Sequence, residues 1–242
     1  MTRTQSTPAE GIDSTRPAGS GEQAQPAITR RYDRLAGLYD LYTQPMEWAG
    51  LGRRRRRLLA SASGNTLEVG IGTGRSLDFY PAGIRLVGID VAPRMLQRAA
   101  QRAAQLGLDV RLRQADVQQL PFPSRSFDTV VASCVFCSVA DPVHGLAELG
   151  RVVRADGRVL LLEHVRPRGR VLGWLADRVS ALTRRLLGFN LNRRTEDNVR
   201  AAGLEVVAVR RGGIWREIQA RPRHSRTPVE EERAFPEFPG GT

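Results

Sequence analysis

Leu67-Glu68-Val69-Gly70-Ile71-Gly72-Thr73-Gly74 puts glycines at alternate positions where an apolar run gives way to polar residues. Glycines there let the backbone come close to a ligand, at the carboxyl end of a strand where open α/β sheets bind ligands. Two acids follow at the ends of the next two apolar runs. Asp90 lies sixteen residues after Gly74, placed to accept both hydroxyls of a ribose, and Asp116 lies where an adenine amino group would fall. A dinucleotide loop of the form Gly-x-Gly-x-x-Gly would need its third glycine at position 75, which is Arg75. One glycine loop alone is weak evidence. A loop and two acids, each closing its own successive strand, make a strong set.

Further groups suit chemistry at the same end. Cys134-Val135-Phe136-Cys137 has redox spacing, but redox pairs of this kind open a helix whose dipole activates the first thiol. Here a strand-like run leads straight into the motif, so the thiols read as pocket walls. Zinc would need two more ligands from His144, His164 and His224, and no metal is expected. Glu163-His164 ends another apolar run; a histidine there can take a proton from an acceptor, or simply bond a loop carbonyl. Tyr39 suits a lid whose ring face attracts a cation, although Tyr32 and Tyr39 equally suit one packed helix face. All 37 basic residues are arginine, which removes lysine Schiff bases, lysine nucleophiles and the phosphate-loop lysine.

The elements that must hold these residues alternate along the chain. Apolar runs predict strands at 66–69, 85–91, 110–115, 127–133 and 158–165, the fourth so apolar that it belongs at the centre. Helices are expected at 95–106, 142–153 and 195–202, with a turn at Ala155-Asp156-Gly157. Strands at 204–210 and 214–220 flank Gly212-Gly213 and predict a hairpin. The pattern implies a doubly wound, Rossmann-like α/β fold with an antiparallel edge strand. Residues 1–28 and 223–242 read as disordered tails around one domain at 29–222. Two cysteines make no disulfide framework, no apolar run reaches the ~18 residues of a membrane span, and the start lacks a signal peptide. A cytoplasmic protein is expected.

Across residues 30–220 the chain resembles the class I S-adenosylmethionine-dependent methyltransferases, with a mostly parallel seven-stranded sheet. It is most similar to the branch of ubiquinone/menaquinone C-methyltransferases and bacterial phosphatidylethanolamine N-methyltransferases, and to the methyltransferase-like thiol methyltransferases. Tyr32-Asp33, Tyr39-Asp40, the 67–74 loop, Gly88-Ile89-Asp90, Ala115-Asp116-Val117, Leu120-Pro121-Phe122, Ser126-Phe127-Asp128 and the 151–157 segment carry the resemblance. It implies S-adenosyl-L-methionine as cofactor. Glu68, Gly70, Gly72 and Gly74 would hold the methionine end, Asp90 and Val91 the ribose, Asp116 and Val117 the adenine, and Ser133 the cavity wall. The thiol methyltransferases share Cys137-Ser138-Val139 and Glu163-His164-Val165, which supports His164 as base. Ile71 replaces a common cysteine or alanine, and Ala155-Asp156 the usual proline-glycine. A Rossmann-like dehydrogenase or silent nucleotide binder fits the glycine spacing and second acid less well.

Methyl transfer needs in-line positioning and exclusion of water more than covalent help, so a base is conditional on the acceptor. With −1 in each tail, the chain's +12 leaves +14 on residues 29–222. Arg53 to Arg57 would wrap a helix, a solvated turn or snorkelling side chains. Residues 171–187 place Val171, Leu172, Leu175, Val179, Leu182 and Leu186 on one helical face framed by arginines, suiting a lid and an anionic membrane surface. Aromatic residues are 6% of the chain, and without a recognisable RNA module nucleic acid is disfavoured as partner. The expected acceptor is a small or amphipathic molecule: a phospholipid amine, a quinone or a hydrophobic thiol. An RNA or protein methyltransferase, or a silent cofactor-binding subunit, are the alternatives.

Overall fold

The computed structural model describes residues 29–30, 32–165, 174, 178 and 195–223. Seven strands, β1 (Asn65–Val69), β2 (Arg85–Asp90), β3 (Val110–Gln114), β4 (Phe127–Ser133), β5 (Val153–His164), β6 (Leu204–Gly212) and β7 (Trp215–Pro222), form one sheet. Their order is β3-β2-β1-β4-β5-β7-β6. The first five pair in parallel, whereas β7 runs antiparallel to both β5 and β6. The antiparallel hairpin strand is therefore inserted beside the edge, and β6 is the outermost strand. The strand order reverses between β1 and β4, the point at which such sheets open a crevice.

β4 is central, and its sequence shows why. Val130 and Ala132 pack on one face with Leu146 and Leu149 of α4 (Pro142–Val152), while Val131 packs on the other with Leu58 and Leu59 of α2 (Gly52–Leu59). A strand covered on both sides has no polar face to keep, so its apolar run is continuous. α3 (Pro93–Gln105) places Met95, Ala99 and Ala103 inward, and α5 (Thr195–Ala201) buries Val199.

One boundary differs from expectation. The turn foreseen at 155–157 is part of β5: Val153 already pairs with Phe127, and the register slips before Arg158 meets Thr129. A Cβ on Gly157 would stand 2.8 Å from the Asp128 carbonyl oxygen, so the chain passes this irregularity only with glycine there. It is a bulge in a continuing strand, not a break. The tails before residue 29 and after 223 lie outside the described residues. So does the 171–187 helix, apart from helical Trp174 and Arg178, whose guanidinium lies 4.7 Å from the indole centroid.

Before the sheet, α1 (Tyr39–Met46) runs into a π-helical turn, Glu47–Leu51, and then α2. Pro45 sits inside α1, and Gly50 adopts φ +107°, a conformation open to glycine at little cost. The kink folds α1 back so that Glu47 meets Arg55, eight residues further on. That contact shapes half of the site.

Candidate active site

The carboxyl ends of β1, β2 and β4, with the chain following β3, surround a cleft of about 670 Å³ open to solvent. Gly70, Gly72, Asp90, Val91, Val117 and Ser133 all line it. The loop after β1 needs its glycines: Gly70, Gly72 and Gly74 have φ of 62°, 58° and 80°. A Cβ on Gly70 would stand 2.6 Å from a methyl of Val135, whereas Gly72 has open space beside it. Gly74 packs against Ala99 of α3 and does not line the cleft.

Asp90 holds this loop in place. Its Oδ2 accepts from the Gly72 amide and its Oδ1 from the Ala92 amide, both at 2.9 Å. Burial pushes its carboxyl up to about 6, against the amide bonds that favour the anion. The Val91 amide favours the anion as well, and the carboxylate's remaining acceptor capacity can meet a ligand hydroxyl. Asp116 is arranged otherwise. It accepts from the Gln118 amide at 2.9 Å and from the Gln118 side chain, and its neighbours Ala115 and Val117, rather than Asp116, line the cleft.

A second cleft of about 510 Å³ adjoins the first. Tyr39, Gly70, Gly72, Ser133 and Cys134 line both, and so form the seam. The far walls are Met46, Glu47, Leu51, Arg55, Glu68 and Arg75. Glu68 is buried and accepts from Ser76 Oγ at 2.6 Å and Tyr80 Oη at 3.1 Å. Burial pushes it up to about 7 despite those bonds. Tyr39 is half-buried at the seam, 6.2 Å from the Tyr32 ring, and Tyr32 Oη bonds Ser138 Oγ at 2.6 Å.

Two arginines matter here whose roles the sequence concealed. Arg75 occupies the position where a dinucleotide loop would carry glycine. Its Nε donates to Asp40 Oδ1 at 2.8 Å, and its Nη2 to the Asp40 carbonyl and Gln44 Oε1. Thr73 Oγ1 joins the same carboxylate at 2.7 Å, so α1 is latched onto the glycine loop. Although burial opposes it, the bonds from Arg75 and Thr73 hold Asp40 below its ordinary range. Arg55 lies at the middle of the five-arginine run and is buried. Arg54 and Arg57 turn instead to Glu217, and Arg56 lies over the Phe79 ring. These four arginines thus meet three different environments. Nothing in a string of identical residues distinguishes the buried one.

The reacting-end residues divide. Burial and the nearby Glu163 charge raise the Cys134 thiol well above its ordinary value, which keeps it protonated. The Cys137 thiol donates to the Cys134 carbonyl at 3.4 Å. Glu163 accepts from the amides of Val135 and Phe136, bracing the chain after β4. His164, pointing to the opposite face by strand alternation, lies with its ring 6.2 Å from that of Trp215 and lines neither cleft. Burial lowers its proton affinity.

A family profile described as a methyltransferase domain matches residues 67–161, from the glycine loop through the core of β5. The chain is 38% identical over 141 residues to the phosphatidylethanolamine N-methyltransferase of Cereibacter sphaeroides, covering 57% of this chain and 68% of that one. It is 33% identical over 165 residues to the demethylmenaquinone methyltransferase of Deinococcus radiodurans, covering 65% and 68%. The chain belongs to this class I methyltransferase branch. An S-adenosylmethionine-dependent methyltransferase of Thermotoga maritima shares the fold over 81% of this chain and all of its own, with TM-score 0.64 and 21% identity.

This class I enzyme uses S-adenosyl-L-methionine as cofactor. The first cleft fits that group on its own evidence. Asp90 has unfilled acceptor capacity, Gly72 leaves space where a side chain would intrude, and the walls of Ile89, Met95 and Val117 suit an apolar ring face.

Proposed function

We propose that this methyltransferase acts on a small or amphipathic acceptor that meets the cofactor at the seam of the two clefts: a phospholipid amine, a quinone or a hydrophobic thiol. The cofactor supplies an electrophilic methyl group on a sulfonium. Asp90 accepts the ribose hydroxyls, Val91 and Val117 flank the nucleoside, and Asp116 marks the adenine end. Gly70, Gly72, Gly74 and Glu68 shape the methionine end, with Ser133 between the clefts. Tyr39, fixed by the Asp40–Arg75 latch, closes the seam, where its ring face favours a cation and its bulk excludes water. The single observation that carries this reading is the shared seam, where the two clefts meet across one side chain and a methyl donor could face an acceptor.

No general base is assigned. His164 lines neither cleft, and an acceptor that is already nucleophilic needs none. The relatives' names, one for a phospholipid amine and one for a quinone, support an amphipathic acceptor. So does the rim. Leu38, Leu41 and Trp48, in and around the segment that supplies Tyr39, Met46 and Glu47 to the second cleft, are 65%, 75% and 78% exposed, an arrangement suited to peripheral contact with an anionic membrane. No helix among the described residues is long and apolar enough to cross one.

Incubation with methyl-labelled cofactor and a cell extract, followed by separation of lipid, small-molecule, RNA and protein fractions, tests the acceptor class. Label is expected in lipid or small molecules. Label in RNA, or in protein, would replace this reading. A cofactor that binds with no label transferred would favour a silent subunit.

A further inference from the structure

Strand β7 opens with two buried charges in succession, Arg216 and Glu217, and neither lines either cleft. Neighbours on a strand point to opposite faces. On one face Arg216 Nε meets Glu196 of α5 at 3.3 Å, and Arg211 of β6 joins the same carboxylate. On the other face Glu217 turns to α2. It accepts from Arg57 Nε and Nη2, both at 2.9 Å, and from Arg54 Nη1 at 3.2 Å, with Arg210 Nε 3.7 Å away. The hairpin is thus tied to a helix on each side. Gly212 completes the tie to α2. A Cβ there would stand 2.7 Å from both terminal nitrogens of Arg54, so the hairpin end leaves room for that guanidinium.

Buried ion pairs are a poor source of stability, because desolvation offsets their attraction; their best use is to fix register. α2 needs that. Leu51, Leu58 and Leu59 bury its inner side, but apolar contact is non-directional and tolerates a rotation. Arg55 sits on that same side, four residues after Leu51 and three before Leu58. It is satisfied there by donating to Glu47 at 2.8 and 2.9 Å and to Ser133 Oγ at 3.3 Å. A rotation of α2 would draw it away from both. Arg54 and Arg57, three residues apart, share another side of the helix and one carboxylate, so they set that rotation.

The path ends at the lid. α1 is held near its start by Asp40 on Arg75 and Thr73, and just past its end by Glu47 on Arg55. One point of attachment would leave the helix free to swing; the second fixes its tilt, and with it the ring of Tyr39 at the seam. Burial raises the Tyr39 hydroxyl well above its ordinary range, and the Arg55 charge is close enough to oppose that rise.

Resting on Tyr39 as the lid over the sulfonium, we infer that Glu217 is a positioning residue for methyl transfer. By holding Arg54 and Arg57 it sets the rotation of α2, through Arg55 and Glu47 the tilt of α1, and so the contact of the Tyr39 ring with the methyl donor.

The test uses the full chain and calorimetry with S-adenosylmethionine and S-adenosylhomocysteine. Only the first carries the sulfonium charge, so the ratio of the two affinities reads the ring's contact with the cation and cancels what the ligands share. Tyr39→Leu sets the scale, and should shift the ratio against S-adenosylmethionine by about two- to thirtyfold. Glu217→Gln keeps the size of the side chain without the charge that holds two arginines. It should reproduce at least half of that shift on a logarithmic scale, with S-adenosylhomocysteine affinity kept within about twofold of wild type. Glu217→Asp should restore part of the ratio. Gly212→Ala alters no charge and displaces only the end of the Arg54 side chain, so it folds as wild type does and should shift the ratio the same way by less. Amide exchange should quicken over 47–51 in Glu217→Gln and Gly212→Ala, and not in β4.

The inference is overturned if Glu217→Gln and Gly212→Ala leave the ratio unchanged while Tyr39→Leu shifts it; Glu217 is then only a tie between helix and hairpin. Equal loss of both affinities in Glu217→Gln, with exchange quickened throughout the sheet and a wild-type ratio in Gly212→Ala, overturns it as well. A ratio that Tyr39→Leu does not move would remove the lid reading itself, and the inference with it.

Discussion

The two clefts share a seam but are built by different parts of the chain. The first is assembled from the ends of parallel strands and the turns that follow them, so its residues occur in order and near one another in sequence: Gly70, Gly72, Asp90, Val117, Ser133. The second takes its far wall from α1, the π-helical turn and α2, where Glu47 and Arg55 meet only because Gly50 kinks the chain. A sheet fixes strand ends rigidly and cheaply, which suits a ligand common to a whole family. Helices laid over the sheet can be re-spaced without disturbing it, which suits a variable acceptor.

The largest effect is expected where strand-end construction matters most. Asp90→Ala removes the acceptor for the Gly72 and Ala92 amides and, in the complex, for the ribose hydroxyls. Each bond left unmade costs about 1–3 kcal/mol, so affinity for S-adenosylmethionine should fall about a hundredfold or more by calorimetry. NAD should not bind wild type measurably. An Asp90→Ala protein with cofactor affinity within twofold of wild type would show that the first cleft is not organised by its strand-end acid.

Next comes the link between the clefts. Arg75→Ala frees α1 from the glycine loop by removing the bonds to Asp40 and Gln44. Those groups are partly exposed, so the loss should be nearer 1 kcal/mol, a five- to tenfold weakening of cofactor binding. Amide exchange should quicken across 39–46 and not in β4. Uniform quickening would mean that Arg75 supports the fold rather than the lid.

The same contrast explains what could be read in advance. β4 was legible over its whole length because a strand buried on both faces must be apolar throughout, and the glycine loop because its spacing excludes a dinucleotide. β5 was cut short because Ala155-Asp156-Gly157 has turn composition, and the pairing of Val153 with Phe127 that continues it is a tertiary fact. His164 seemed to face the sheet's mouth because it ends a strand, yet alternation gives that side to Glu163, and sequence alone does not set the phase. Arg55 and Arg75 were missed for a related reason. The partner that turns each from a surface charge into part of the site sits on the entry segment, joined to it by folding rather than by spacing.

Glu68 allows a sharper comparison, since it lies on a first-cleft strand but faces the second cleft. Its carboxyl is raised by burial to about 7 from an ordinary 4.5. In that window the folded protein holds a proton that the unfolded chain has released, so the stability Glu68 contributes is present at pH 4–5 and is lost as pH rises through 7. Glu68→Gln keeps an acceptor for Ser76 and Tyr80 without the charge. The cofactor-free variant should therefore melt about 2–4 °C above wild type at pH 8 and level with it at pH 5. A gain equal at both pH values would mean that desolvation of the anion is not what the substitution relieves.

The smallest effect is expected at the thiols: Cys134 at the seam and Cys137 buried behind it. Cys134 adopts φ 59°, donates its amide to the Leu162 carbonyl at 2.8 Å, and is half-buried with its thiol held protonated. A thiol so raised is a poor nucleophile and a poor metal ligand, and a serine fills nearly the same space. Cys134→Ser/Cys137→Ser should then bind cofactor and transfer methyl within about twofold of wild type, alike in reductant and in mild oxidant. The contrary pattern is specific: equal activity in reductant with divergence under oxidant, or stoichiometric zinc in the purified wild type. Either would make the wall between the clefts a chemical participant. The expected result leaves it a surface that shapes the seam, with recognition of the cofactor falling to Asp90 beside it.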